Sequence, residues 1–244
     1  VYVWYDALTN YYTATRQKGK EKFWPADVHL VGKDILWFHA VIWPVMLLSL
    51  GIELPKSIFA HGWLTFDKEK ISKSRGKVIN VDELVSIAGA DSARYFLLRA
   101  TPFGEDGDFS VDSLRERHNS ELADKLGNLV SRVSALAEKY GVEKSENKLL
   151  KKLKIGEIEK HLDNFEFDKA LNEIFAFIDK CNEYVQSKKP WVTKNKRILY
   201  ELVESIRKIA DLLYPFIPET SEKIARIFKT DKIKKASILF EKIK

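Results

Sequence analysis

The segment Val28-His29-Leu30-Val31-Gly32-Lys33-Asp34-Ile35 gives the clearest indication of the fold class. Its first four residues form a short apolar run typical of a buried strand, and Gly32 ends that run. Residues 34–50 follow as an amphipathic-to-apolar helix that Gly51 closes. A strand, a glycine turn and a helix in this order are typical of a parallel α/β sheet, in which ligands gather at the carboxyl ends of the strands.

The segments on either side extend this pattern. Residues 1–6 are β-branched and aromatic, so they predict a buried strand that runs into a helix at residues 7–15. Residues 57–61 predict a further strand, followed by Gly62 and a hairpin-like piece at 63–66 with residues 67–70 as its turn. Helices are predicted at 81–88 and 91–100, and Pro102 with a turn at 104–108 marks a break.

Beyond residue 115 the pattern is helical, and no strand is predicted until the last few residues. Three apolar series recur at helical spacing and predict an antiparallel bundle. They are Leu122, Leu126, Leu129, Val133, Leu136 and Tyr140; Phe167, Leu171, Ile174, Ile178, Cys181 and Val185; and Leu199, Leu202, Ile206, Ile209 and Leu213. Residues 144–154 are expected to be a charged linker, and residues 218–228 a short helix. The predicted fold class is therefore α/β followed by all-α.

Composition excludes several classes of protein. A chain of 244 residues with 45% hydrophobic residues is long enough to bury a core. Its longest apolar run, Ala40 to Leu50, is too short to span a bilayer and is interrupted by Pro44. The first residues lack the features of a secretory signal. Cys181 is the only cysteine, which excludes a disulfide or a cysteine-rich zinc site within the chain, so a cytoplasmic location is expected.

The net charge of +6 is uneven along the chain. Residues 1–115 hold 14 Lys and Arg against 14 Asp and Glu, while residues 116–244 hold 27 against 21. The excess thus lies in the helical half. A basic excess of this size is compatible with nucleic-acid binding and equally with a solvated helical surface, so the motifs must decide between them.

The most informative motif is Lys70-Ile71-Ser72-Lys73-Ser74, followed by Arg75-Gly76-Lys77. Two lysines three residues apart, with hydroxyls between them and glycine after them, are typical of a mobile cationic loop. Such a loop can close over a triphosphate and stabilise the charge on the departing pyrophosphate. For five residues alone, a basic surface loop is an equal alternative.

Residues 70–74 resemble the KMSKS signature of class I aminoacyl-tRNA synthetases, with Ile71 in place of methionine. The strings at residues 1–8, 29–35 and 38–44 resemble the methionyl-tRNA synthetases in particular. The resemblance implies the C-terminal half of a Rossmann-like catalytic domain followed by a helical-bundle anticodon-binding domain. It also implies activation of methionine by ATP with Mg²⁺, transfer to tRNA(Met), and no metal site in this chain.

The resemblance implies a methionine pocket of aromatic and small apolar residues, which suits a flexible thioether. The matching positions are Trp4, Ala7, Leu8, Tyr11, Ile35, Phe38, His39 and Trp43. Tyr11 and His39 combine an apolar body with a hydrogen-bonding tip, and such groups reject isosteres by polarity. Trp4, Ile35 and Trp43 are equally typical of core packing, and for Phe38 and Trp43 the two interpretations stay level.

The resemblance likewise implies an ATP site. Gly32 and Asp34 are expected at the ribose, although Asp34 is also placed to cap its own helix. Leu64 is expected against the adenine, with Gly62 permitting close approach and His61 either beside the nucleotide or packing the strand. Phosphate contacts are expected from Lys70, Ser72 and Lys73, of which Lys70 and Lys73 are the catalytic candidates.

In the helical half, Asn128 and Arg132 lie one turn apart and off the apolar series. Trp191 follows Lys188-Lys189-Pro190 at a turn between helices. An amide and a guanidinium can read base edges, and an aromatic ring can stack on an unpaired base. Alternatively, Asn128 and Arg132 are simply exposed to solvent, and Trp191 packs against the end of the helix bundle. The resemblance implies anticodon recognition by all three.

Four domains are expected: 1–66, the second half of the catalytic domain; 67–115, the KMSKS loop and a connecting helical region; 116–236, the anticodon-binding bundle; and 237–244, a segment returning towards the catalytic half. The residues contain neither a HIGH signature nor the cysteine-bearing zinc insertion of the family, and both are expected upstream or in a separate N-terminal half. We therefore expect the isolated chain to be nearly inactive in adenylate formation. A related synthetase for leucine, valine or cysteine and a non-catalytic tRNA-binding paralogue are the rival hypotheses.

Overall fold

The computed structural model of the chain describes residues 2–66, 69–70, 80–230 and 232–244, with only the backbone described at residues 66, 69 and 70. Its contacts divide the chain into two compact units. Unit 1 comprises Val1–Leu64 and Gly104–Gly107, and unit 2 comprises Thr65–Phe103 and Asp108–Lys244. Among the described residues, no helix has the length and apolarity needed to cross a membrane.

Unit 1 is built around two parallel strands, β1 (His29–Gly32) and β2 (Ile58–His61). Its helices are α1 (Val3–Ala7), α2 (Thr9–Thr15) and α3 (Trp43–Ser49). Short 3₁₀ turns cover Glu21–Phe23 and Lys33–Ile35, and a π-helix covers Phe38–Ile42. The parallel pair confirms the predicted α/β pattern. Its core consists of Leu8, Trp43 and Leu47, surrounded by half-buried aromatic side chains.

Two predictions in unit 1 are wrong in detail. The predicted strand at residues 1–6 is helix α1, because the peptide N–H of Tyr5 bonds to the carbonyl of Tyr2 and that of Leu8 to Trp4 instead of to a neighbouring strand. The predicted continuous helix at 34–50 is three pieces. Pro44 lies in the first turn of α3 and has no N–H to donate to the carbonyl four residues earlier, so the preceding turn widens into the π-helix.

A second, three-stranded sheet contains β3 (Leu64–Phe66), β4 (Glu69–Lys70) and β5 (Gly107–Phe109) in the order β4-β3-β5. The pairing of β3 with β4 is antiparallel and confirms the hairpin. Its turn is shorter than predicted, because residues 69 and 70 pair with 66 and 65. The predicted turn at 104–108 is also wrong at its end, since the N–H of Gly107 bonds to the carbonyl of Trp63 at 2.9 Å and the chain enters β5.

Unit 2 is otherwise helical. Its helices are α4 (Val81–Ala88), α5 (Ala90–Arg99), α6 (Val111–Arg117), a π-helix (His118–Gly127), α7 (Asn128–Tyr140), α8 (Ile155–Asp163), α9 (Phe167–Lys188), α10 (Pro190–Thr193), α11 (Lys196–Leu213) and α12 (Pro218–Ile227). The three apolar series of the sequence form its core, where α7, α9 and α11 pack together. Of these series only Leu136, Tyr140 and Phe167 are less than fully buried.

The expected linker at 144–154 is wrong, because this segment packs on the bundle. Leu149 and Leu153 are buried, and the carboxylate of the buried Glu201 accepts the N–H of Leu149 at 3.2 Å. Asn147 donates to the carbonyl of Glu201 at 2.9 Å. Leucines spaced between lysines therefore fasten a polar stretch to the core.

The C-terminal segment lies along the helices at 118–134. The carbonyl of Glu241 accepts from His118 at 2.8 Å, and Asn119 exchanges two hydrogen bonds with the backbone of Ile243. The N–H of Ala236 donates to the hydroxyl of Ser134. Residues 232–244, as described, contain no strand, and backbone groups of this segment bond to side chains of the bundle.

Candidate functional site

An aromatic cluster in unit 1 joins five of the residues predicted to line an amino-acid pocket. The rings of Trp4 and Phe38 are stacked with their centroids 4.1 Å apart. The ring of His39 lies 6.1 Å from that of Trp4 and 5.5 Å from that of Tyr11. Trp43 lies 6.3 Å from Tyr11. Residues separated by up to 39 positions in the sequence thus meet in one patch of unit 1.

The polar centre of this cluster is the pair formed by Tyr11 and His39. The Tyr11 hydroxyl lies 2.9 Å from Nε2 of His39, and Nδ1 of His39 lies 2.9 Å from the carbonyl oxygen of Ile35. A carbonyl only accepts, so Nδ1 of His39 is the donor in its contact with Ile35. His39 is almost fully buried, which holds this arrangement in place.

The residues predicted to line the pocket differ in burial, and some of them belong to the core of unit 1. Leu8 and Trp43 are each 1% exposed and pack with Leu47, so they belong to the core of unit 1. Ala7 and Ile35 are half-buried. The structure therefore favours the core interpretation for Trp43, while Trp4 and Phe38 stay partly accessible.

His29, which the sequence analysis did not select, lies at the base of this cluster. It is 6% exposed, its ring lies 4.6 Å from that of Tyr11, and its Nε2 accepts the indole N–H of Trp43 at 3.2 Å. Burial lowers the pKa of His29, and the neighbouring His39 lowers it further. The sequence feature that could have identified His29 is a polar residue at the first position of an otherwise apolar strand.

The carboxyl ends of the parallel strands bring the predicted ribose residues together. Gly32 and His61 are partners in the β1–β2 register. A Cβ atom at Gly32 would lie 2.6 Å from Oδ1 of Asp34 and 3.8 Å from Cε1 of His61. The Asp34 carboxylate thus lies over Gly32 at the end of the strand, and a side chain at position 32 would require the carboxylate to turn away. Hydroxyl groups are suitable ligands for a carboxylate in this position.

Gly62 lies against a second segment that the sequence did not predict here. It is buried, and a Cβ atom would lie 2.1 Å from the backbone oxygen of Glu105. The side chain of Asp106 in the same segment accepts the N–H of Trp63 at 2.7 Å and forms an ion pair with Lys33. The Asp106 carboxylate thereby connects Lys33, which follows Gly32, with Trp63, which follows Gly62.

The adenine candidate Leu64 and the phosphate candidates are only partly described. Leu64 is 45% exposed and begins β3. The backbone of Lys70 lies in β4, opposite Thr65. Ser72 and Lys73 lie outside the described residues. The contacts of the cationic loop therefore stay predictions.

In unit 2, the three anticodon candidates lie on two neighbouring helices. Asn128 begins α7 and is exposed, with its amide donating to the carbonyl of Asp124, while Arg132 is half-buried one turn later. Trp191 lies on α10 and is 39% exposed. Tyr140, the last residue of α7, donates to the carbonyl of Trp191 at 3.4 Å. This bond joins the far end of α7 to the tryptophan.

The setting of Trp191 exposes an aromatic ring beside cations. Pro190 is buried and anchors α10, whereas Lys188 and Lys189 are exposed. Lys189 has φ 43° and Lys194 φ 50°, so left-handed backbone brackets this one-turn helix. An exposed ring next to lysines suits stacking on an unpaired base.

The described part of the chain contains no group of three or more His, Cys, Asp or Glu side chains that could hold a metal ion.

Comparison with known protein families covers nearly the whole chain. The family described as tRNA synthetases class I (M) matches residues 1–134. The family described as the anticodon-binding domain of tRNA ligase matches residues 147–243.

Curated relatives share this similarity over part of their length. The chain is 45% identical to the methionine-tRNA ligase of Caldanaerobacter subterraneus subsp. tengcongensis, over 92% of this chain and 39% of that protein. It is 43% identical to the methionine-tRNA ligase of Clostridium perfringens, over 92% of this chain and 38% of that protein. The chain thus spans about two fifths of the length of the curated relatives it matches.

Solved structures show the same similarity in three dimensions. Mycobacterium tuberculosis methionyl-tRNA synthetase bound by methionyl-adenylate superposes with a TM-score of 0.92 at 31% identity, covering 98% of this chain and 56% of that chain. A second complex of that synthetase with methionyl-adenylate gives a TM-score of 0.86 at 36% identity, covering 93% of this chain and 50% of that chain. The predicted fold, part of a class I catalytic domain followed by a helical anticodon-binding domain, is confirmed.

Proposed function

The chain belongs to the family of class I tRNA synthetases (M), and on that premise we propose that it is part of a methionine-tRNA ligase. In the proposed reaction, the methionine carboxylate attacks the α-phosphate of ATP, and pyrophosphate leaves. A ribose hydroxyl at the end of tRNA(Met) then attacks the acyl carbonyl of the adenylate, and AMP leaves. A cytoplasmic location fits this function and stays a prediction.

The observation that carries the proposal is the Tyr11–His39 hydrogen bond within the aromatic cluster. A thioether is apolar along its chain and accepts hydrogen bonds only weakly, so it suits a site with aromatic walls and a single polar contact. Trp4 and Phe38 supply a stacked wall. We assign methionine binding to Trp4, Ala7, Leu8, Tyr11, Ile35, Phe38, His39 and Trp43, with Leu8 and Trp43 acting from the core.

The ATP assignment rests on the carboxyl ends of β1 and β2. Asp34, folded over Gly32, is suited to bind ribose hydroxyls, and Gly62 and Leu64 are suited to the adenine. His61 lies between these two groups. Lys70, Ser72 and Lys73 are assigned to the phosphates, and ATP would enter as its Mg²⁺ complex. The two lysines would stabilise charge on the departing pyrophosphate.

Pyrophosphate exchange tests the catalytic proposal. Because the chain spans about two fifths of its relatives, the assay uses the chain joined to the rest of a family-length enzyme. We expect exchange with methionine and none with leucine, valine or cysteine. Lys73→Ala should lower the activation rate and leave methionine affinity nearly unchanged. Exchange that prefers another amino acid, or loss of methionine binding with intact turnover, would refute the assignment.

The anticodon assignment places Asn128, Arg132 and Trp191 in contact with tRNA. It rests on an exposed amide and a half-buried guanidinium on α7 and an exposed indole on α10. The domain limits at residues 66, 115 and 236 remain part of this proposal, as does the return of residues 237–244 towards the catalytic half. A gel shift of the 244-residue chain with tRNA bearing a CAU anticodon, against an anticodon-changed control, measures this recognition. Equal affinity for both would contradict it.

A further inference from the structure

His29 has no part in the assignments above, yet it contacts most of the aromatic cluster. Its ring lies 4.6 Å from Tyr11, 6.3 Å from His39 and 6.2 Å from Trp24. It is the first residue of β1, three positions before Gly32. It therefore lies beneath the proposed amino-acid pocket, on the strand whose other end forms the proposed nucleotide site.

The hydrogen bond to Trp43 determines the protonation pattern of His29. An indole N–H only donates, so Nε2 of His29 must be an acceptor, and in the neutral ring the proton is on Nδ1. Nδ1 of His39 is likewise a donor, because it lies 2.9 Å from the carbonyl oxygen of Ile35, which only accepts. The rings of His29 and His39 both lie close to the ring of Tyr11 and to each other.

The surroundings of His29 oppose its protonation. The elements packed against it present Tyr11 from α2, His39 from the π-helix and Trp43 from α3, together with Trp24. Burial lowers the pKa of His29, and the charge of His39 lowers it further, so both disfavour the cationic ring. A protonated Nε2 would also direct an N–H at the indole N–H of Trp43, and the buried hydrogen bond would be lost.

We propose that His29, through its hydrogen bond to Trp43, is a positioning residue for the amino-acid pocket. The bond links β1 to α3, while the ring backs Tyr11 and keeps its hydroxyl directed at His39. The Tyr11–His39 pair at the polar centre of the proposed pocket therefore depends on a residue outside the pocket. This inference rests on the proposed function and concerns the amino-acid half of that site alone.

The test is steady-state pyrophosphate exchange in the family-length enzyme. His29→Phe keeps a ring of similar size but leaves the Trp43 N–H without an acceptor. We expect the KM for methionine to rise about tenfold, equivalent to about 1.4 kcal/mol, and the KM for ATP to change less than about twofold. His29→Gln can place an amide oxygen near the position of Nε2 and should restore much of the loss.

Two variants separate positioning from general stability. Trp43→Phe removes the donor, so its effect on the methionine KM should not add to that of His29→Phe. Trp24→Phe is the matched control, because that indole donates to the carbonyl of Glu53 instead of to His29. It should leave the ratio of the methionine and ATP KM values unchanged. Parallel increases of both KM values in His29→Phe would overturn the inference.

The pH profile and NMR give independent measurements. In the wild type, the methionine KM should rise as pH falls below the ordinary histidine range, because the lowered pKa of His29 keeps it neutral above that point. This acid limb should be weaker in His29→Gln. If His29→Phe does not fold, the ¹⁵N chemical shifts of the His29 ring in the wild-type chain test the inference instead. An imidazolium, or a neutral ring with its proton on Nε2, at neutral pH would refute the inference. Absence of any methionine-dependent exchange in the wild type would instead refute the proposed function.

Discussion

Replacing Gly62 with alanine should distort the segment Gly104–Gly107. The added Cβ would lie 2.1 Å from the oxygen and 2.3 Å from the carbonyl carbon of Glu105, and 2.6 Å from the nitrogen of Asp106. All three are backbone atoms, so no side-chain rotation can relieve the overlap. Gly62 is not among the glycines with positive φ, and alanine therefore adds no backbone strain of its own. The whole effect comes from the collision.

The magnitude follows from forcing extra volume into a packed site, which costs about 1–3 kcal/mol. The contacts of Asp106 with Lys33 and with the N–H of Trp63 would weaken as the segment moves, so we expect a loss of about 2 kcal/mol from the free energy of unfolding of unit 1. With a urea m-value of about 1 kcal/mol/M for a small unit, the midpoint should fall by about 2 M.

Tryptophan fluorescence during urea unfolding measures this loss. Trp4, Trp24, Trp37, Trp43 and Trp63 lie in unit 1, whereas Trp191 lies in unit 2, so fluorescence reports mainly on unit 1. Far-UV circular dichroism reports mainly on the helices of unit 2. Only the fluorescence transition should move in Gly62→Ala.

A second glycine provides the control. Gly156 lies in α8, and a Cβ atom there would meet nothing within 4 Å. Gly156→Ala should therefore stabilise the helix by up to about 1 kcal/mol and raise the circular dichroism midpoint. A fluorescence midpoint of Gly62→Ala within about 0.3 M of wild type would mean that the added Cβ does not collide with the backbone of Glu105.

Three further predictions concern unit 2. Trp191→Ala should weaken binding of the tRNA with a CAU anticodon by about 1–3 kcal/mol in a gel shift, whereas Val192→Ala, at an exposed neighbour, should change it little. Burial raises the pKa of the Cys181 thiol to about 12. Iodoacetamide should therefore alkylate Cys181 slowly in the folded chain at pH 8 and rapidly in denaturing urea. Equal alkylation rates in the two conditions would contradict the burial of Cys181. Glu201→Ala should lower the free energy of unfolding, measured by circular dichroism melts, by about 2–3 kcal/mol. The substitution leaves the buried N–H of Leu149 and the Tyr184 hydroxyl without their acceptor. A melting curve unchanged from wild type would contradict the anchoring role of Glu201.

Sequence periodicity was sufficient to predict the core helices α7, α9 and α11. The residues of the third apolar series, from Leu199 to Leu213, are all fully buried along α11. Burial on one helix face leaves a repeat of three and four residues in the sequence, and that repeat is visible without any partner. The strand before Gly32 was predicted for a similar reason, since a short apolar run ended by glycine is a local signal.

Predictions failed where distant segments decide the structure. Residues 3–7 are strand-like in composition, but they form helix α1 because the described strands pair elsewhere. Lysines around Leu149 and Leu153 suggested a linker, and Glu201, about fifty residues away, fastens that segment to the core. In this second case the deciding partner is remote in the chain, so local composition does not contain it.

The candidate site shows the same division. The sequence and its resemblance selected Tyr11, His39, Gly32 and Asp34, whose residue types already suggest chemistry. Tertiary structure alone revealed that His29 supports Trp43. The same holds for Asp106, which lies 73 residues after Lys33 in the chain and contacts both Lys33 and Trp63. A sequence records each residue's own chemistry and its periodic burial, whereas supporting contacts arise only when folding brings remote segments within hydrogen-bond distance.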